Sequence, residues 1–537
     1  MESLRHSESL PEKKSTYRRI AGILFTVLFL ISFGFQMQSG AWRSDFGGHA
    51  DEAAHVVTSL MVRDYLAGGF LETPHPMRYA ESYYERFPKV AIGHYPPGFY
   101  LVASVGLLPF RSGGTFLVLM NLLNAGAGLL LYWFGRRMLR HDGQAAMIAF
   151  LYVALPQTRT YTAIVMADLL LVVLSLLAAL SFLRFLQSER ARDSLFFGLW
   201  AAAAILTKGS GVGLALLPPL ALLFAGKWRL LFSPGLWLAP VPVLLFALPW
   251  ILFTMGITGE GMQESGLTEW VKSAVPFYGQ AMVREVGWVG LAALAGAALL
   301  GGYRRVFRKN AASDGEAVLW SLLICGLVIA LVVPAGLDNR YLMPVIPSVL
   351  LLGATNLRSL FPARNGKWQS LVVVLFAIVV LGETARPVQK LYTGASEAVR
   401  VVVGLETAEG GSGAPVRILV VSNATGEGAI TAAAALALEL PGLRVARGSK
   451  VLSSSDWLGR GYRVAFQTAE ELFALLRNEG IGYIVIDEPI ANSPEHWGRI
   501  KECLETTTDA RVVWMGAVPS WRRTENRPFD VYRIKAD

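Results

Sequence analysis

Long apolar stretches fill most of the first 390 residues and predict the architecture. Crossing about 30 Å of hydrocarbon takes roughly 20 apolar residues in a helix. Residues 20–390 therefore read as a transmembrane domain of about eleven spans, preceded by a tail at 1–19, and the fold class is that of a polytopic α-helical membrane protein. The eleven stretches are 20–37, 115–134, 143–157, 165–185, 194–207, 211–226, 236–256, 287–303, 316–334, 341–355 and 369–385.

Basic residues between the stretches set the expected orientation. With eleven spans, every cluster falls on one side of the membrane, which is the positive-inside pattern of cytoplasmic loops. The N-terminus is then cytoplasmic, and the long loop 38–114 lies outside the plasma (inner) membrane. The clusters are Arg18/Arg19, Arg136/Arg137/Arg140, Arg190/Arg192, Lys227/Arg229, Arg304/Arg305/Arg308/Lys309 and Arg358/Arg364/Lys367.

Two segments of ambiguous length are decided by the same charge pattern. Counting 97–110 as a span would place the arginines at 136–140 outside, so we expect a short helix at the outer interface. Reading 196–224 as one helix would invert every later loop. We therefore expect two short helices that meet at Thr207–Ser210, inside the protein because lipid leaves backbone groups unsatisfied.

Composition changes the picture little. The chain is 53% hydrophobic and 17% charged, with a net charge of +9. Since most of the basic excess lies in the predicted cytoplasmic loops, it does not indicate a nucleic-acid partner. Cys325 lies in an apolar stretch and Cys503 in the C-terminal region, so a disulfide between them is not expected.

Residues 400–537 follow a Gly-rich linker, Glu409–Gly413, and read as a soluble extracytoplasmic domain. Strand-like runs (Val416–Val421, Tyr483–Ile486, Arg511–Val518 and Val531–Ile534) alternate with helical ones (Ile430–Leu440 and Glu470–Leu476). This order predicts a small α/β domain. The sequence Gly426-Glu427-Gly428 fits a tight strand-to-helix turn better than a phosphate loop, because the rest of that fingerprint is missing.

The external loop after the first span carries the first candidate chemistry. Asp51, Glu52 and His55 open a helical stretch, with Asp51 and His55 on one face because they are four residues apart. Asp51 has two open interpretations, a helix N-cap and a catalytic carboxylate. Four of the seven histidines lie in this loop, at spacings that leave a divalent-metal site open without specifying one: His49, His55, His75 and His94.

Three more charged residues are expected at the outer face. Asp168 begins a span, and is either solvated at the helix start or directed into the bundle for function. Lys208 and Arg340 each either extend towards the interface or bind a phosphate at the membrane surface. Carboxylates beside cations suit sugar transfer from a lipid phosphate, and no free nucleotide donor is expected outside the cell.

Four stretches together resemble the polytopic GT-C glycosyltransferases, in particular the family of protein O-mannosyltransferases and aminoarabinose–lipid A transferases (glycosyltransferase family 39-like). The likeness covers roughly 20–360, and Gly198–Lys208 adds to it. The stretches, in the family's order, are Ala50-Asp51-Glu52-Ala53-Ala54-His55, His94-Tyr95-Pro96-Pro97-Gly98-Phe99-Tyr100, Pro156 to Asp168, and Arg340-Tyr341-Leu342-Met343-Pro344.

This resemblance implies an inverting transferase of the cell envelope that uses a polyprenyl-phosphate-linked sugar donor, with a lipid, protein or glycan as acceptor. Asp51 would be the general base or acceptor-binding carboxylate, Glu52 its neighbour, and Asp168 the acid of the second external loop. Lys208 and Arg340 would face the carrier phosphate, and the remaining expected substrate contacts are His55, Tyr95 and Tyr341. Cofactor use varies in the family, so no cofactor is assigned and a divalent metal stays open.

The alternative from another functional class is a flippase or other transporter of lipid-linked glycans. It too would be polytopic and basic on the inside. Many transporters carry a two-fold repeat of hydropathy, which this sequence does not show. A transporter also has little use for a long external loop rich in acids, histidines and tyrosines.

Overall fold

The structure is a computed structural model that describes residues 11–260, 266–307, 311–362, 365–408, 415–437, 440, 442–454, 461–490, 493–507, 509–522 and 525–535. The predicted linker Glu409–Gly413 and the predicted cytoplasmic residues Arg308, Lys309 and Arg364 lie outside this range. Residues up to 384 are helical, and the C-terminal part contains a β-sheet.

The helical part consists of α1 Pro11–Gln38, α2 Glu52–Asp64, α3 Phe70–Glu72, α4 Pro76–Arg86, α5 Gly98–Leu107, α6 Gly113–Leu139, α7 Asp142–Ala154, α8 Pro156–Ala163, α9 Asp168–Ser188, α10 Ala191–Thr207, α11 Leu217–Ala225, α12 Pro240–Pro242, α13 Leu248–Glu260, α14 Leu267–Phe307, α15 Asp314–Val332, α16 Ile346–Ser359 and α17 Gly366–Thr384. Helix α14 contains a kink at Gly287, whose φ of 73° is left-handed.

Among the described residues, seven helical segments are long and apolar enough to cross a membrane: Arg18–Gln38, Gly113–Leu139, Asp168–Ser188, Leu236–Gly259, Leu267–Arg304, Asp314–Val332 and Gly366–Thr384. The multi-pass helical architecture is thereby confirmed, whereas the count of eleven is not. The other four predicted spans coincide with shorter helices, α7, α10, α11 with the turn before it, and α16. These four elements are 13 to 17 residues long, shorter than the roughly 20 residues of a typical span.

Both ambiguous segments fold as shorter pieces. The stretch 97–110 forms α5, ten residues packed between α2 and α6. Helix α10 ends at Thr207, and a 3₁₀ helix, Gly209–Leu216, follows before α11. The predicted meeting point of two short helices at Thr207–Ser210 is confirmed, and it places Lys208 at the break.

The C-terminal part consists of α18 Ala395–Ala408, β1 Arg417–Val421, α19 Ala424–Leu436, β2 Arg444–Arg447, α20 Gly448–Val451, β3 Ser453–Ser454, β4 Arg463–Val464, α21 Ala469–Asn478, β5 Tyr483–Asp487, α22 Glu495–Thr506, β6 Val512–Val518, β7 Trp521–Arg522, β8 Glu525–Asn526 and β9 Phe529–Ile534. The main sheet has the order β2-β1-β5-β9-β6, parallel between β2, β1 and β5 and antiparallel between β5, β9 and β6.

The four predicted strands and two predicted helices of this region are all present, while α18, β2 and α22 were not predicted. The expected tight turn at Gly426–Gly428 is misplaced. The chain turns at Ser422 and Asn423, and Asn423 caps α19 through its side chain, so both glycines lie inside that helix. The absence of a Cβ matters at Gly428, because a Cβ there would come within 2.9 Å of the Ala53 Cβ.

Helix α19 packs against α2 and joins the C-terminal part to the external loop. Two arginines of the loop bind carbonyls of the sheet region, where Arg111 donates to Ala435 and Leu436, and Arg86 donates to Leu443. Cations at a helix C-terminus satisfy carbonyls that the helix leaves free. The helix that begins beside Asp51 is therefore held between the membrane helices and the C-terminal part.

Candidate active site

Asp51 lies immediately before α2, and its side chain makes no capping hydrogen bond. The N-cap interpretation of this carboxylate is therefore wrong. One oxygen, Oδ2, instead accepts hydrogen bonds from Nη1 of Arg340 at 2.9 Å and from the hydroxyl of Tyr95 at 3.0 Å. The side chain is 31% exposed, so a reactant can approach a carboxylate that is already oriented.

The charges around Asp51 keep it ionised. Burial raises the pKa of Asp51, but the charges of Arg340, His49 and His55 and the hydrogen bond from Arg340 together outweigh burial and hold the pKa well below its ordinary value. The positive charge of Arg340 also lowers the pKa of Asp338, which burial alone would raise. A hydrogen bond from His49 and the charge of Arg340 lower the pKa of Asp338 to about 2. Arg340 thus sits between two carboxylates and binds both.

Asp338 is a part of the site that the sequence did not indicate. Its Oδ2 lies 3.3 Å from His49 Nε2 and 3.3 Å from Arg340 Nε, and its Oδ1 accepts a hydrogen bond from the Tyr161 hydroxyl at 3.2 Å. Three distant segments therefore meet at one carboxylate. The sequence indicated Arg340 but not Asp338, because nothing in a single sequence pairs Asp338 with His49.

Asp168 and Lys208 form a buried ion pair. Lys208 Nζ lies 2.6 Å from Asp168 Oδ1, and the two side chains are 6% and 3% exposed. Because both side chains are buried, Asp168 is not solvated at the helix start, and Lys208 does not extend to the membrane interface. The Lys208 ammonium also lies 4.7 Å from the centre of the Tyr341 ring, which Arg340 approaches from 5.5 Å.

The two ion pairs adjoin one cavity. Asp168, Arg340 and Tyr341 line a space of about 30 Å³ together with Ser175 and Ser210, enough for one water molecule. Asp168 Oδ2 has no hydrogen-bond partner within the described chain. The site therefore retains a free buried acceptor beside two cations.

Gly98 brings the Tyr95 motif against the helix break that carries Lys208. A Cβ at Gly98 would lie 2.7 Å from the carbonyl oxygen of Leu206 and 2.9 Å from Thr207 Oγ1. Only glycine permits this approach. The Pro-Pro-Gly stretch and the end of α10 are therefore held together on either side of the site.

Glu52 is placed differently from Asp51. Its side chain is fully buried, with Oε1 2.6 Å from Lys390 Nζ, a lysine that is only 2% exposed. The backbone N–H groups of Gly48 and Val165 donate to the same carboxylate at 2.7 and 2.9 Å. Glu52 thus joins the first external loop, the segment before α9 and the segment after α17, and Lys390 was not identified from the sequence.

His55 is buried among aromatic rings. The rings of Tyr95, Phe99 and Tyr100 lie 4.7, 5.5 and 5.8 Å away between centroids. Burial lowers the pKa of His55 to about 4, although Asp51 and Asp168 oppose that shift. Both ring nitrogens lack a hydrogen-bond partner among the described residues. Among the described residues, no three His, Cys, Asp or Glu side chains lie close enough together to bind one metal ion.

Comparison with known proteins agrees with the resemblance stated above. A family model described as dolichyl-phosphate-mannose-protein mannosyltransferase matches residues 94–253, which include the Tyr95 motif, Asp168 and Lys208. The whole architecture is similar to ArnT from Cupriavidus metallidurans bound to undecaprenyl phosphate. That likeness has a TM-score of 0.53 and 14% sequence identity, over 95% of this chain and 97% of that chain. The family model matches part of the chain, and the likeness to ArnT shows that the two proteins share a fold.

Two further solved structures are similar to this chain. ArnT from the same organism in the apo state gives a TM-score of 0.51 and 15% identity, over 97% of this chain and 98% of that chain. The archaeal oligosaccharyltransferase AglB from Archaeoglobus fulgidus, in complex with an inhibitory peptide and a dolichol-phosphate, gives 0.49 and 13%, over 88% and 70%. No curated protein matches the chain significantly. The resemblance to GT-C enzymes is confirmed, and the roles of individual residues stay predictions.

Proposed function

We propose that this protein is an inverting glycosyltransferase that moves a sugar from a polyprenyl-phosphate-linked donor to a hydroxyl or amine of a lipid, protein or glycan acceptor. The observation that carries the proposal is Asp51, a partly exposed carboxylate oriented by Arg340 and Tyr95 beside a second cation, Lys208. The undecaprenyl phosphate bound to ArnT supports a donor of this class.

Asp51 acts as the general base. The acceptor heteroatom attacks the anomeric carbon from the face opposite the phosphate, and its proton passes to Asp51 Oδ. The bond between that carbon and the phosphate oxygen breaks, and its electron pair stays on the oxygen. Polyprenyl phosphate leaves with one more negative charge, which Lys208 and Arg340 stabilise.

Arg340 couples donor binding to the basicity of Asp51. While it is bound to Asp51, its charge makes that carboxylate a weak base. A phosphate is a competing bidentate partner for a guanidinium. When the donor draws Arg340 away, the pKa of Asp51 rises towards the range useful for proton transfer. The base is thereby activated when the substrate to be attacked is in place.

Glu52 and Asp168 have supporting roles in this proposal. Glu52 positions α2 and Asp51 through Lys390, and is a positioning residue because its partners among the described residues are a buried lysine and two backbone N–H groups. Asp168 holds Lys208 towards the site and leaves one oxygen for a sugar hydroxyl. His55, Tyr95 and Tyr341 surround the same space. The reaction takes place at the outer face of the plasma membrane, as the positive-inside pattern favours.

The test is Asp51→Asn in a transfer assay with the purified full-length chain in nanodiscs. Glycolipids and glycoproteins from a deletion strain, compared by mass spectrometry, first identify the donor sugar and acceptor. Loss of the base should slow turnover by about 100-fold or more. The matched control is Glu269→Gln, an exposed carboxylate on α14, which should leave turnover unchanged. Retained turnover in folded Asp51→Asn would remove Asp51 as the base.

A further inference from the structure

A second polar cavity lies at the opposite end of the helical bundle from Asp168. It has a volume of about 510 Å³ and opens between α6, α7 and α9. Arg184 on its wall is sixteen residues along α9 from Asp168, which corresponds to about 24 Å at 1.5 Å per residue. Its polar and aromatic lining consists of Trp133, Arg136, Arg137, Arg140, Asp142 and Arg184.

Positive charge is poorly compensated in this cavity. Asp142 binds Arg136, with Oδ1 2.5 Å from Nε. Within the described ranges, no carboxylate comes within salt-bridge distance of Arg137, Arg140 or Arg184. At the end of a membrane helix, the guanidinium groups of Arg137, Arg140 and Arg184 thus share a cavity without an ion-pair partner among the described residues. Like charges held close together repel, so an anion that binds among them is stabilised.

The surroundings indicate that the anion has an apolar tail. Val118, Leu122 and Trp133 are 39%, 43% and 39% exposed on α6. Their spacing places them on one side of that helix, which forms an apolar strip leading to the arginines. A tryptophan at the end of a span is typical of the membrane interface. A ligand could thus lay acyl chains along α6 while its phosphate reaches the cavity.

We propose that this cavity binds the phosphate headgroup of an anionic membrane phospholipid. Guanidinium groups bind phosphate oxygens in a bidentate manner, and basic pockets between membrane helices bind such headgroups. The site is independent of the transferase site, because it lies at the other end of α9 and uses none of its residues. Its place among the clustered arginines assigns it to the cytoplasmic leaflet under the positive-inside pattern.

The experiment measures lipid binding to the full-length protein in a neutral detergent by native mass spectrometry, with phosphatidylglycerol and phosphatidylcholine as probes. The variant Arg137→Gln/Arg184→Gln should bind phosphatidylglycerol roughly 30-fold more weakly, at about one kcal/mol per arginine. Arg190→Gln/Arg192→Gln is the matched control, since it removes two exposed arginines from the same end of the bundle. The control should change affinity less than threefold.

Two further arms distinguish the source of the phosphate. Soluble glycerol phosphate and inorganic phosphate should not displace the lipid at millimolar concentration, because they lack the acyl chains that contact α6. Equal loss of binding in both double variants would mean that the lipid responds to the general surface charge, not to this cavity, and would overturn the proposal. Equal binding of the two lipids, or displacement by the soluble phosphates, would overturn it as well. Arg140→Gln, which removes one exposed charge, should give about a fivefold loss and guards against misfolding of the double variant.

Discussion

Glu52 and Lys390 form a buried ion pair, so we expect a variant that neutralises both residues to be more stable than a variant that neutralises Glu52 alone. This comparison tests whether Glu52 positions the site or takes part in catalysis. Glu52→Gln keeps the shape of the side chain and removes its charge, which leaves the Lys390 ammonium buried without its counter-ion. Lys390→Met leaves the Glu52 carboxylate buried without its lysine, although the backbone N–H groups of Gly48 and Val165 still donate to it. The double variant removes both charges from the same buried space.

The magnitudes follow from the burial of both side chains. Breaking a buried pair by neutralising one partner costs about 3–5 kcal/mol, whereas replacing the whole pair with neutral groups is often close to neutral. We expect Glu52→Gln to lose about 4 kcal/mol of unfolding free energy, and the double variant about 1–2 kcal/mol. Lys390→Met should fall between them, because hydrogen bonds to a charged acceptor are worth roughly 1.5–3 kcal/mol each.

The assay is a double-mutant cycle on denaturant unfolding in detergent, combined with the transferase rate of each folded variant. A coupling energy below about 0.5 kcal/mol would refute the buried pair, because independent sites add within that range. The exposed pair of Glu269 and Lys272 provides the control cycle, with an expected coupling of about 0.5 kcal/mol or less. If the stable double variant stays inactive, Glu52 has a catalytic role and the positioning argument is wrong.

Three shorter predictions test other parts of the site. The pKa of His55 is about 4 in the folded protein and about 6.5 in the unfolded chain, so the folded state holds this side chain neutral. The free energy of unfolding should therefore decrease by about 3 kcal/mol as the pH falls from 6.5 to 4. His55→Phe should flatten that pH dependence in thermal unfolding. Gly98→Ala should cost about 1–3 kcal/mol and weaken polyprenyl-phosphate binding, while Gly126→Ala, with open space around it, should change neither. Lys208→Met leaves Asp168 buried and unpaired, so denaturant unfolding should show a loss of about 3–5 kcal/mol that Asp168→Asn partly restores.

Local patterns predicted the parts of the fold that depend on local physics. The length of apolar stretches predicted where helices lie. The charge pattern predicted one short helix within 97–110 and two short helices within 196–224. Alternating apolar runs predicted β1, β5, β6 and β9. The count of eleven spans is not confirmed, because helices such as α7 and α16 are shorter than a typical span and largely buried inside the protein. Composition alone does not distinguish such burial from contact with lipid.

Long-range pairing accounts for what the sequence did not predict. Asp51, Asp168, Lys208 and Arg340 were each noted as charged residues at the outer face, but their pairing is a property of the assembled bundle. Lys390 lies between α17 and α18, in a stretch without a recognisable motif, 338 residues from Glu52. Asp338 was overlooked for the same reason. Charged groups at the ends of spans can be listed from sequence, whereas their partners require the tertiary structure.

The charge balance of the site leads to a last prediction about how it accepts an anionic donor. Among the described residues, the carboxylates of Asp51, Asp168 and Asp338 contact two permanent cations, Lys208 and Arg340, which leaves one excess negative charge (three minus two). A donor phosphate adds another. Accumulated negative charge in a partly buried site is costly, so binding must bring in positive charge, as a proton or as a divalent cation.

Polyprenyl-phosphate binding should therefore depend on pH, on divalent cations, or on both. If one proton is taken up on binding, affinity should increase about tenfold for each unit of pH lowered within the titration range, because bound protons and ligand are linked. If a cation takes that role, a chelator should weaken binding and Mg²⁺ or Mn²⁺ restore it. The measurement is titration of the nanodisc protein with undecaprenyl phosphate at pH 6 to 8, with and without chelator. An affinity independent of both variables would mean that the excess carboxylate moves away from the phosphate, and Asp338, the most exposed partner after Asp51, would then be the group to follow.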